Sequence, residues 1–121
     1  MNYKAKNIRT FIGAKNFEES KDFYQKLGFE IIAIPGKMVL IKVNEQLAFY
    51  LQEYYKKQWV QNSMIFLEVD DIFKCYEDVK SRKLDEQYKY VRLSEIKTFD
   101  WGMEFFLHDP SGVLWHFGCF N

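Results

Sequence analysis

Glu104, His108, Asp109 and His116 all fall within one aromatic stretch near the end of the chain, Trp101 to Phe117. His116 stands between Trp115 and Phe117, where an imidazole without a partner is costly to desolvate. It therefore marks a ligand site or a buried hydrogen bond. An imidazole titrates near neutrality and a neighbouring carboxylate raises its pKa, so His116 beside a glutamate has the parts for general acid/base chemistry. Between the two aromatic runs lies Asp109-Pro110-Ser111-Gly112. Proline presets the torsion of one turn position and glycine tolerates a positive φ at another, so the chain reverses there. The segment from Met103 to Cys119 is read as a β-hairpin, with His108 capping or solvating its turn. Cys75 and Cys119 lie in no Cys-x-x-Cys or Cys/His cluster and are read as reduced packing residues.

The elements that must position these groups repeat. Asn16 with Glu19 three positions on has the spacing of a capping box, Phe17, Phe23, Tyr24 and Leu27 follow one helical face, and Gly28 ends the helix. Ahead of it, Ile8 to Gly13 reads as a strand. Behind it come strands at Phe29 to Ile34, Met38 to Val43 and Leu47 to Leu51, separated by Pro35-Gly36-Lys37 and Asn44-Glu45-Gln46. The second half runs in the same order. Ser63 to Val69 is a strand, Asp70 or Asp71 caps a helix carrying Ile72, Cys75, Tyr76 and Val79, weak strands follow near Gln87 to Leu93, and the hairpin completes the unit. The architecture expected is α+β: two βαβββ modules, residues 1–53 and 63–121 joined by a linker over 54–62, forming a curled, mixed but mainly antiparallel sheet with helices on its convex face. Period-two alternation puts Met64, Phe66 and Glu68 on one face of their strand and Ile65, Leu67 and Val69 beneath the helix.

Composition narrows the function. The 121 residues suit a single domain, and 17 basic residues balance 17 acidic ones. That balance removes the long-range field by which a nucleic-acid or anionic-membrane binder gathers its partner. No apolar run reaches the roughly 20 residues that span a bilayer, and the first residues lack the apolar core of a secretion signal, so a cytoplasmic protein is expected. Aromatics form 19% of the chain, more large rings than a core of this size hides, and some should line a groove or an interface.

The string Ser20-x-x-Phe23-Tyr24-x-x-Leu27-Gly28-Phe29, the junction Leu67-Glu68-Val69-Asp70-Asp71-Ile72 and the turn Asp109-Pro110-Ser111-Gly112 resemble the vicinal oxygen chelate superfamily of glyoxalases, ring-cleaving dioxygenases and bleomycin resistance proteins. The resemblance covers nearly the whole chain. It implies four metal-ligand positions on the concave sheet face, which here fall on Arg9, on Gln52 or Glu53, on Met64 and on His116. Since a divalent ion normally needs at least three nitrogen or oxygen ligands, and Arg9 would repel it, no metal or other cofactor is expected. The tail from Trp101 to Phe117 is particularly similar to the bleomycin resistance branch, whose members sequester a drug between aromatic side chains in the grooves of a homodimer. On that likeness Trp59, Phe66, Trp101 and Phe106 are the stacking candidates, Glu68 and Glu104 the acidic ones, and Arg9 and His116 further ligand-binding residues. Arg9 is either a clamp for an anionic ligand or a partner of Glu68.

Three readings follow from these residues. The preferred one is a metal-free, dimeric binding protein that sequesters a planar aromatic or amphipathic small molecule, with no nucleic-acid or membrane partner. The alternative is a glyoxalase-like lyase or isomerase, working through a metal held by His116 with Glu53, Glu68 or Glu104 or by metal-free acid/base chemistry, or a relative of the ring-cleaving dioxygenases. The third is a protein-interaction module whose groove is filled by Phe66, Trp101 and Phe106.

Overall fold

The computed structural model describes residues 3–121. The first unit comprises β1 (Phe11–Gly13), α1 (Phe17–Lys26), β2 (Glu30–Ala33), β3 (Met38–Lys42) and β4 (Ala48–Gln52). A short helix α2 (Lys57–Gln61) leads into β5 (Met64–Glu68), α3 (Ile72–Ser81), α4 (Leu84–Gln87), β6 (Arg92–Leu93), β7 (Lys97–Phe99), β8 (Gly102–His108) and β9 (Leu114–Phe120). The fold is α+β, with two open sheets of mixed strand direction. One has the order β1-β4-β3-β2 and the other β5-β9-β8-β6, with β7 also paired to β8. In each, the first and last strands of the unit run parallel and the remaining pairs are antiparallel.

Local chemistry sets the element ends. The Asn16 side chain accepts from the Glu19 amide at 3.1 Å, and Asp71 accepts from both Phe73 and Lys74, caps each worth about 1 kcal/mol. Gly28 closes α1 at φ +105°, a backbone conformation that side chains resist. Strand β1 is shorter than expected: Ile8 is 97% exposed, and pairing begins where the Tyr50 amide meets the Thr10 carbonyl. Of the weak strands expected near Gln87 to Leu93, the two-residue β6 forms, after the helical turn α4 that ends at Gln87. Leu84 and Tyr88 are both buried, and the Tyr88 amide closes the turn on the Leu84 carbonyl at 3.2 Å.

The core is shared between the units. Tyr24 on α1, Phe49 on β4 and Trp115 on β9 meet with centroid separations of 5.3–5.8 Å. Trp115 Nε1 donates to the Tyr24 hydroxyl at 2.9 Å, and that hydroxyl donates to Asp109 Oδ2 at 2.7 Å. The other Asp109 oxygen accepts the amides of Ser111, Gly112 and Val113, each at 2.9 Å, so Asp109 itself caps the hairpin turn. His108 does not have the capping role expected of it, because its side chain lies on the opposite face of β8 and its Nδ1 is buried without a partner. Burial and the neighbouring Arg92 and His116 lower its pKa.

Asp109 is fully buried, and burial pushes its carboxyl from the ordinary 3.8 up to about 6 against the pull of its four donors. The folded chain thus holds a proton that the unfolded chain releases between those pH values, so this group's contribution to stability falls as pH rises through the window. Replacing Asp109 with Asn keeps the turn acceptor but leaves the Tyr24 hydroxyl hydrogen without one, at a cost of about 1–3 kcal/mol. Chemical denaturation should find Asp109→Asn less stable than wild type, with the gap narrowing from pH 4 towards 6.

Candidate functional site

On β5, β8 and β9 the inward positions are spent on the core, leaving Phe66, Glu104, Phe106, His116 and Phe120 on the opposite face. Register aligns them: His116 lies between Phe66 on β5 and Phe106 on β8, and Glu104 faces Gly118. Gly118 is required there, since a Cβ would meet Phe66 Cζ at 2.6 Å. The missing side chain lets Phe66 fold over the sheet, stacked at 24° against His116.

An open pocket of ≈ 480 Å³ results, lined by Met64, Ile65, Phe66, Trp101, Glu104, His116 and Phe120. Trp101 stacks on Phe99 at 5.6 Å and meets Phe66 and Phe120 at 6.1 and 5.4 Å. The Phe106 ring is edge-on to His116 at 4.9 Å, beneath the Lys97 ammonium. The polar side chains of the pocket form a single pair, with His116 Nδ1 3.0 Å from Glu104 Oε1. Glu104 is only 7% exposed, and a carboxylate so buried needs such a partner.

A second recess of ≈ 510 Å³ lies on the other side of Phe66, between β4, β5 and the segment before β1. Arg9 and Glu68 both line it, but no ion pair joins them among the described residues. Arg9 instead donates to the Tyr50 hydroxyl at 3.0 Å, with its guanidinium 5.6 Å from the centre of that ring, and Phe11 also stacks on Tyr50 at 4.9 Å. Trp59 joins neither recess; it stands on α2, 61% exposed, against Tyr54 and Lys56. The structure thus brings together Phe66, Trp101, Glu104, Phe106 and His116, sets Arg9 and Glu68 across Phe66 from them, and places Trp59 apart. Phe120 and Tyr50 were missed. Phe120 continues the alternation of His116 and Gly118 and was readable from it, whereas Tyr50 joins Arg9 through a pairing that neither residue's neighbours announce.

A model of the Glyoxalase/Bleomycin resistance protein/Dioxygenase superfamily matches residues 8–117. The chain belongs to that superfamily. Among solved structures, a bleomycin-binding protein in complex with bleomycin aligns over 97% of this chain and 100% of its own at 19% identity and a TM-score of 0.79. The antibiotic-binding protein TnmS3 from Streptomyces sp. CB03234 aligns over 98% of both chains at 17% identity and TM-score 0.76. A bleomycin resistance determinant encoded on the transposon Tn5 aligns over 95% of this chain and 98% of its own at 22% and 0.75. No curated protein matches the chain.

The superfamily's metal enzymes raise the question of a cation here, and the donors do not fit one. Among the described residues no three of His, Cys, Asp and Glu converge. His116 and Glu104 are two donors already bonded to each other; Met64 offers the same pocket only a soft thioether, and Arg9 lies across Phe66 with its guanidinium bonded to Tyr50. No helix among the described residues is long and apolar enough to cross a membrane.

Gly118→Ala tests the ring seat: the added methyl evicts the Phe66 ring, which is flexible and 44% exposed, so the sheet survives while the pocket loses a wall. The expected outcome is a stability loss of about 1–3 kcal/mol and a changed Trp101 fluorescence spectrum, with the native circular dichroism retained.

Proposed function

We propose that this protein is a metal-free receptor that sequesters a planar aromatic or amphipathic small molecule in the pocket between Phe66, Trp101 and Phe120. The observation carrying this reading is the pocket's composition: ring walls, one hydrogen-bonded acid/base pair and, among the described residues, no third His, Cys, Asp or Glu converging with it. Ligand pockets combine apolar walls with few polar groups in this way. The pocket is open, which speaks against a groove filled by its own rings. The superfamily relatives named for bleomycin and antibiotic binding support sequestration as the class of activity. The neutral charge balance argues against nucleic acid and anionic membrane as partners, and a cytoplasmic location suits such a receptor.

A second copy of the chain completes the site in this proposal. Phe11 on β1 is 53% exposed, and Met64 and Phe120 are 65% and 56% exposed, apolar surface that a homodimer would cover. Sedimentation should give a dimer, and Phe120→Glu, which sets a charge on that face, should shift it to monomer.

Titration of bleomycin and a panel of heteroaromatic compounds, followed by tryptophan fluorescence, tests the receptor reading. Saturable binding that Trp101→Ala weakens about tenfold is expected, since aromatic contacts carry about 0.5–1.5 kcal/mol beyond area burial. A flat response across the panel would reject it. The 3.0 Å contact of His116 with Glu104 favours a second reading, metal-free acid/base catalysis. Turnover of an enolisable substrate by chelator-treated protein, lost in His116→Gln, would establish that one instead.

A further inference from the structure

We infer that the pocket selects a neutral planar ligand bearing a hydroxyl group on its ring system, a phenol or naphthol type of compound, with the hydroxyl bonded to His116 Nε2. The inference rests on the sequestration reading and names the ligand class for that same site. With His116 Nδ1 3.0 Å from Glu104 Oε1, the carboxylate accepts the Nδ1–H and leaves Nε2 as the imidazole's outward polar atom. Nε2 has no protein partner among the described residues, and it is not closed off, since His108 Nδ1 is the buried side-chain polar atom without one. The remaining surfaces are rings and apolar chains: Phe66, Trp101, Phe120 and Met64.

Charge disfavours the other ligand classes. An anion would stand beside Glu104, whose 93% burial leaves little water to screen the repulsion. Lys97 places its ammonium 5.3 Å from the centre of the Phe106 ring and does not line the pocket. A cation meets one free acceptor, Glu104 Oε2, which His116 leaves unpaired among the described residues, and must exchange its hydration shell for ring walls to reach it. A hydroxyl carries no charge, and it donates to a neutral imidazole or accepts from a protonated one equally well.

Four probes of one shape test this on the full chain by fluorescence titration: naphthol, its methyl ether, naphthoate and naphthylmethylammonium. Naphthol is expected to bind about tenfold more tightly than the ether and more tightly than either ion. In His116→Phe, which keeps a ring in place, the advantage over the ether should vanish while the ether itself still binds. In Glu104→Gln it should fall, because the amide no longer fixes the imidazole's proton. Naphthol and ether binding equally would overturn hydroxyl recognition and leave aromatic sequestration standing. Tighter binding of either ion would overturn the charge argument, and no binding of any probe would remove the sequestration reading together with this one.

Discussion

A single buried carboxylate holds the molecule in register. Asp109 sits at the tip of the second unit's hairpin, takes three turn amides on one oxygen and the Tyr24 hydroxyl of the first unit's helix on the other. Burying such a group without partners would cost several kcal/mol; with four donors it becomes a rigid joint. Burial and the adjacent carboxylate also keep the Tyr24 hydroxyl protonated far beyond its ordinary range, so it remains a donor. The joint is reinforced nearby by Ser111 Oγ, which accepts from the Lys15 amide and lies 3.3 Å from Ser20 Oγ. On the other side, the Tyr88 hydroxyl bonds Asp22 and the Arg82 guanidinium bonds the Lys26 carbonyl at the end of α1. Each of these ties crosses from one unit to the other.

The joint decides what the outer sheet face is free to do. Because Trp115, Phe117, Phe105 and Leu107 all turn inward to the shared core, strict alternation delivers His116, Glu104, Phe106 and Phe120 outward as a set. A slip of one residue would send the imidazole into the core and the indole into solvent, and the Trp115 to Tyr24 hydrogen bond forbids it. The chemistry of the pocket and the stability of the fold are thus two faces of one strand register.

Much of this was legible in the residues. The caps Asn16 and Asp71, the positive-φ glycines 28 and 112, and period-two alternation on β5 carry their own local physics, and the elements form where that physics puts them. His116 announced a partner by its apolar neighbours, and the structure supplies Glu104. What stayed hidden depended on distant pairing. Nothing near Leu84 signals that it will share a core with Tyr88, so the helical turn ahead of β6 went unread. Trp59 was a stacking candidate through the family likeness, and the structure sets it on α2 beside Tyr54. Arg9 is committed to Tyr50 by a pairing 41 residues long, which no local pattern reveals.

The parallel pairing of β1 with β4, and of β5 with β9, also orders the assembly of the chain in time. Each pair joins segments separated by most of a unit, so its loop-closure entropy is spent before any ladder bond rewards it. The β8–β9 hairpin closes over a turn of only a few residues and carries the Asp109 joint at its tip, which makes it the natural nucleus. Strands β1 and β5, which close the long loops, are expected to dock after it, and until they do their partners present open edges on which another chain could pair.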